Sequence, residues 1–159
     1  MLAHLPRPLL RILQHASHLW FRLARPLTMG VRAVVLDEAG RVFLVRHSYL
    51  PGWHLPGGGV EVGETALEAL SRELREEGNI ELNGAPVLQG VYLNTFVTKR
   101  DHVLVYVVRA FAQTQRRGAD WEIVETGFFH VDKLPEATAR GSRARIEEAL
   151  GGASLSALW

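Results

Sequence analysis

Glu73, Glu76 and Glu77 stand at offsets of zero, three and four in the segment Arg72-Glu73-Leu74-Arg75-Glu76-Glu77-Gly78. If this segment is helical, the three carboxylates are neighbours on one face, with Cβ atoms about 5–6 Å apart. Like charges that close repel, raise one another's pKa values and weaken the helix. Near a helix C-terminus they also oppose the macrodipole. Arg72 and Arg75 offset part of this cost, and on the acids alone a solvated charged face is one reading. A bound hard cation is the other. Upstream, Pro56-Gly57-Gly58-Gly59 lets the backbone turn sharply and approach a ligand closely, so a loop carbonyl can face the helix. Carbonyl plus clustered carboxylates is the donor set that Mg²⁺ or Mn²⁺ prefers, with positions left open for water and substrate phosphates.

Several elements must position these groups. Thr65 to Gly78 predicts a helix, with good formers throughout, no proline, and Leu67, Leu70 and Leu74 on one stripe. Ser48 to Gly59 is a Pro/Gly-rich loop containing Trp53-His54-Leu55-Pro56. Before it, Val31 to Asp37 and Arg41 to His47 are β-rich runs joined by Glu38-Ala39-Gly40, a hairpin signal. Strands are also expected over Val87 to Asn94, His102 to Phe111 and Phe128 to Val131, and a last helix from Ser142 as N-cap to Gly151-Gly152. The sum is an α+β fold, a mixed sheet covered by helices. Arg46 and His47, ending the second run, are placed to reach a substrate phosphate; Trp53 and Tyr92 are candidates to stack a base or, alternatively, to fill the core.

The chain of 159 residues suits one domain with a sizeable core. It contains no cysteine, which excludes disulfides, thiolate nucleophiles and cysteine-ligated zinc and fits a cytoplasmic location. No apolar run approaches the roughly 20 residues of a membrane span. The first 36 residues hold five arginines and no acid, whereas the rest hold thirteen basic and seventeen acidic residues; the mildly acidic body argues against a nucleic-acid partner. Residues 5–24 place Leu5, Leu9, Ile12, Leu13, Ala16, Leu19, Trp20 and Leu23 at helical spacing. This predicts a basic amphipathic helix in an extension over 1–28, ahead of a domain over 29–159. It can pack on the body, on a second copy of the chain as in a homodimer, or peripherally on a membrane; its arginine-rich, acid-free composition also matches a mitochondrial-type transit peptide.

Counting from Gly58, five residues lead to Glu64, seven more to Arg72-Glu73-Leu74-Arg75-Glu76-Glu77-Gly78-Asn79-Ile80. This resembles the Nudix box of the MutT-like hydrolases; six of its seven fixed positions match, and Asn79 replaces the last glycine. Asparagine is the next most tolerant residue for the left-handed turn required there. The resemblance implies a Nudix-type sheet sandwiched between helices (α/β/α) and Mg²⁺-dependent hydrolysis of a diphosphate bond in a nucleotide-type substrate, with Mn²⁺ as a possible substitute. It implies that Glu73, Glu76, Glu77 and the Gly57 carbonyl hold the metal, and that Glu64 and Arg72 form a structural ion pair behind Gly58. It places the general base either at Glu73 or in a late loop with Asp120, Glu122 and Glu125, where Glu122 is the candidate. A nucleotide-sensing module without catalysis is the alternative, but such modules usually lose box acids, and none is lost here. Isopentenyl-diphosphate isomerase shares the fold but relies on a cysteine. Thr95 stands where ADP-ribose enzymes carry a proline, and no tyrosine near position 97 suggests dinucleoside polyphosphates. Nucleoside triphosphates, oxidised ones included, nucleoside-diphosphate sugars and RNA 5′ ends stay open.

Overall fold

A computed structural model describes residues 26–96 and 98–159; the expected helix over 5–24 lies outside them. Nine elements follow in order: β1 (Thr28–Val35), β2 (Arg41–His47), α1 (Ala66–Gly78), β3 (Ile80–Leu82), β4 (Val87–Leu93), β5 (Asp101–Val108), β6 (Phe111–Gln113), β7 (Ile123–His130) and α2 (Arg140–Ala149). β5 is central in a three-stranded sheet, parallel to β1 and antiparallel to β4. β2 pairs antiparallel with β7, and β3 with β6.

Alternation along the strands produces the layers, because successive side chains point to opposite faces. Phe43 and Val45 of β2 join Val31, Ala33 and Val35 of β1 against Ala69, Leu70 and Leu74 of α1. Val42 and Leu44, with Val34 and Leu36, face the other way, toward Leu55, Tyr92 and Ile146 of α2. Strands buried on both faces between two helices make the expected α+β sandwich.

Several local expectations are corrected. β1 and β2 do not form a hairpin ladder: apart from a bridge between Leu36 and Val42, each pairs with a distant strand. The apolar run over His102 to Phe111 breaks at Arg109-Ala110, and Phe111 starts the separate strand β6. β7 begins at Ile123, well before Phe128. α2 starts after Ala139, which offers no side-chain cap. Ser142 lies inside the helix, where its hydroxyl accepts the Leu55 N–H at 3.1 Å. Leu67 is exposed, so the buried stripe of α1 rests on Ala69, Leu70 and Leu74.

Both ends of α1 follow their residues closely. Thr65 and Glu68 form a reciprocal capping box, which satisfies two orphan donors of the first turn. Asn79 closes the helix at φ 51°, ψ 37°, with its N–H on the Arg75 carbonyl at 3.0 Å. The asparagine takes the left-handed conformation for which glycine is the usual residue.

Candidate active site

The loop ahead of α1 lies along β1: the Val31 N–H donates to the Gly58 carbonyl and the Ala33 N–H to the Pro56 carbonyl, each at 2.9 Å. Two glycines make the fit. Gly57 has φ 136°, and a Cβ there would collide with the Val31 carbonyl. A Cβ on Gly58 would collide with the Glu73 carboxylate. The loop can therefore press against β1 only with glycine at position 57, and glycine at 58 leaves room for the Glu73 carboxylate where it lies.

Arg72 ties the loop to the helix. Its Nε and Nη2 meet the two carboxylate oxygens of Glu64 at 2.9 and 3.0 Å, its Nη1 reaches Glu73 at 2.7 Å, and Nη2 also donates to the Gly59 carbonyl at 3.0 Å. The Glu64–Arg72 pair thus has the bidentate geometry that suits guanidinium and carboxylate. Its hydrogen bonds hold the Glu64 carboxyl below its ordinary pKa.

The three helix acids occupy different environments. Glu77 is buried: its Oε1 accepts from His47 Nε2 at 2.6 Å and its Oε2 from the Gly57 N–H at 2.7 Å. Glu76 is exposed, 3.6 Å from Arg72. Glu73 lies between them; burial raises its pKa, and although Arg72 opposes this, the charges of Glu77 and Glu76 raise it further. Together with Glu122, Arg117 and Ile123, these acids line a cavity of about 250 Å³. Glu122 is brought there by Arg117, which donates to the Glu76 carbonyl at 2.7 Å and pairs with Asp120, while the Asp120 carboxylate accepts the Glu122 N–H at 2.9 Å. The four carboxylates, answered only in part by Arg117 and by the Arg72 bond to Glu73, offer oxygen donors that fit a hard divalent cation. Among the described residues no three acidic or histidine side chains already converge as a metal cage. Glu73 would have to turn from Arg72 to contribute.

The substrate-contact expectations fare differently. Tyr92 is 0% exposed, with its hydroxyl on Glu148 at 2.9 Å: it belongs to the core and cannot stack a base. Trp53 is also buried, edge-on to Phe129 at 4.7 Å between centroids. His47 is spent on Glu77 and does not face solvent, so it orients a carboxylate where a phosphate contact was expected. Arg46 pairs with Glu125 at 2.9 Å on the surface. Sequence reasoning missed Arg117 and Arg32. Arg32 donates through Nη1 to the carbonyls of Leu55, at 3.1 Å, and of Gly57, so the carbonyl expected to face a metal is engaged by a guanidinium. The available signal was a charge on an inward-facing position of an apolar strand.

The NUDIX domain model matches residues 26–150. A MutT-like protein of Streptomyces ambofaciens is 31% identical over 126 residues, 79% of each chain. An RNA pyrophosphohydrolase of Dinoroseobacter shibae is 43% identical over 67 residues, 41% of this chain and 42% of that protein. In structure, a MutT NUDIX hydrolase from Burkholderia pseudomallei superposes with a TM-score of 0.66 at 27% identity, over 76% of this chain and 96% of that one. The chain belongs to the Nudix family. Its class is that of the Nudix pyrophosphohydrolases.

Proposed function

We propose that the enzyme hydrolyses a diphosphate bond in a small nucleotide-type substrate, a nucleoside diphosphate linked to a further group, with Mg²⁺ as cofactor and Mn²⁺ as a substitute. The observation that carries this reading is the single cavity shared by Glu73, Glu76, Glu77 and Glu122. Glu73, Glu76 and Glu77 would hold the cation, with the Gly57 carbonyl as a further donor once Arg32 yields it. A cation bound there supplies positive charge against the diphosphate oxygens and acidifies the attacking water.

The chain's own residues do the rest. His47 and the Gly57 N–H fix Glu77 in one orientation, so this one carboxylate is positioned before substrate arrives. Arg72, locked by Glu64, keeps the loop against α1. Glu122 is the general base of this reading. It lines the cavity and its nearest polar side-chain partner is the Tyr49 hydroxyl at 3.5 Å, so its carboxylate is available to take a proton from water, whereas Glu73 is held by Arg72. As water attacks one phosphorus, the other phosphoryl group leaves. Among the described residues no helix is long and apolar enough to cross a membrane; the cytoplasm, where nucleotides are abundant, is the location this reading assigns.

The test is a panel of nucleoside triphosphates, oxidised nucleotides, nucleoside-diphosphate sugars, ADP-ribose and 5′-triphosphorylated RNA, assayed with Mg²⁺ and Mn²⁺. Release of a nucleoside monophosphate or phosphate from at least one compound is expected. No turnover of any compound with either metal would contradict the reading.

A further inference from the structure

The two faces of the β1–β5–β4 sheet are not covered equally. Residues paired directly across strands point to the same face, so the register sorts them. Val103 and its partner Tyr92 lie in the core beneath α2. Val31, Leu104 and Val91 make a row on the opposite face, the one α1 packs against. The core under α1 takes in Val31, Tyr106 and Val108 but no residue of β4, the edge strand. Met29, Leu88 and Val91, on this same face, and Leu67, in the first turn of α1, are each 46–49% exposed. Leu67 continues the stripe of buried Leu70 and Leu74. The loop before it reaches the start of β1, where the Val60 N–H donates to the Met29 carbonyl at 2.9 Å. These side chains outline an apolar patch across three strands and one helix end, more than scattered surface residues account for. Among the described residues none closes it.

Residues 1–25 lead straight to this face. Only Pro26, Leu27 and Thr28 separate Arg25 from Met29, and Leu27 is itself exposed. The apolar stripe over 5–24 stands at helical spacing, and a helix with its side chains is about 10 Å across. From β1 across β5 to β4 is two strand spacings, again about 10 Å, so one helix covers the width of the patch. Charge points the same way. Residues 1–25 carry four arginines and no acid, while Glu61 and Glu68 are exposed on the loop into α1 and on its first turn. A tether this short keeps the stripe at high effective concentration over its own sheet, which favours this occupant over a second copy or a lipid surface. The family match begins at residue 26, so the segment lies outside what that match describes.

We propose that residues 5–24 dock as an amphipathic helix on the sheet face formed by Met29, Leu88 and Val91, completing the cover that α1 leaves open. Docking does not depend on the hydrolase reading. Hydrogen exchange read by mass spectrometry tests it on the full chain in dilute, lipid-free buffer, beside oxidation of Met29 by hydroxyl radicals. In the wild type, amides of residues 9–23 are expected to exchange about tenfold or more slowly than in Leu88→Lys/Val91→Lys. That protection should be the same at every protein concentration, with β5 and α1 protected in both proteins. Leu19→Glu/Leu23→Glu, which changes no residue of the sheet or of α1, should in turn speed Met29 oxidation severalfold. Unprotected amides over 9–23 in the wild type, or protection that the lysines leave intact, would overturn the proposal. So would protection that rises with protein concentration, the mark of a second copy, or that appears only with anionic vesicles, the mark of a membrane. If Leu88→Lys/Val91→Lys fails to fold, Leu19→Glu/Leu23→Glu decides alone: unchanged Met29 oxidation then contradicts docking.

Discussion

Two charge clusters, one on each helix, are built on opposite plans. On α2, Glu148 Oε1 accepts from Arg145 at 2.7 Å and from the Ser156 N–H at 3.0 Å, and Oε2 from Tyr92 at 2.9 Å and Gln89 at 3.3 Å. Arg145 stacks 4.0 Å from the Tyr92 ring centroid and donates to the Leu158 carbonyl at 2.8 Å. One acid meets one base, and the carboxylate is fully answered. On α1, Glu73, Glu76 and Glu77 share their cavity with Glu122 and Arg117, and Arg72 is divided among Glu64, Glu73 and Glu76. The first cluster balances one acid with one base and holds the β4 end of the sheet to α2 and to the segment around Leu158. The second carries surplus negative charge, which costs stability unless a cation is supplied. A charge cluster reads as structural when its sum is zero, and as a ligand site when it is not.

Substitution should separate the two plans. Glu77→Gln is expected to lower kcat by roughly a hundredfold or more while the protein stays folded; near-normal turnover in Glu73→Gln, Glu76→Gln and Glu77→Gln alike would erase the contrast. Glu148→Gln should do the reverse. It leaves Arg145 buried without its anion and costs about 3–5 kcal/mol of stability, read by denaturant unfolding, with activity per folded molecule retained. Tyr92→Phe, in the same network, should cost about 1 kcal/mol and leave KM unchanged. A raised KM would return Tyr92 to the substrate.

The smallest effect concerns Glu73 without metal. Its pKa is raised chiefly by burial, with Glu77 and Glu76 adding to it and Arg72 opposing, so the folded protein holds that proton more tightly than the unfolded chain. Stability from this group is therefore greatest at pH below the ordinary carboxylate value and declines as pH rises through the raised one. Glu73→Gln should remove that decline and raise the Tm of metal-free protein at neutral pH slightly, by at most about 4 °C. Cation affinity should move oppositely, weakening as pH falls through the same range.

Much of α1 was legible in advance because its determinants are local. The box spacing, the Thr65 cap and the tolerance of Asn79 for a left-handed turn depend on residues within a few positions of one another. The Glu64–Arg72 pair came through resemblance and is found. Tertiary context was not legible. Nothing local tells Tyr92 that Glu148, 56 residues on, will take its hydroxyl, or His47 that Glu77 will bury beside it. The hairpin signal at Glu38-Ala39-Gly40 describes the turn correctly but not the ladders, because the apolar runs on either side pair better with distant strands. Ser142 had the chemistry of an N-cap, and its hydroxyl was used instead on Leu55.

The central claim is that the surplus charge on α1 exists to hold a cation, and manganese binding followed by electron paramagnetic resonance tests it most directly. Saturable association is predicted for the wild type, weakened in Glu73→Gln and Glu77→Gln and unchanged in folded Glu148→Gln. Absence of saturable binding in the wild type, or equal binding in all four proteins, would contradict the account.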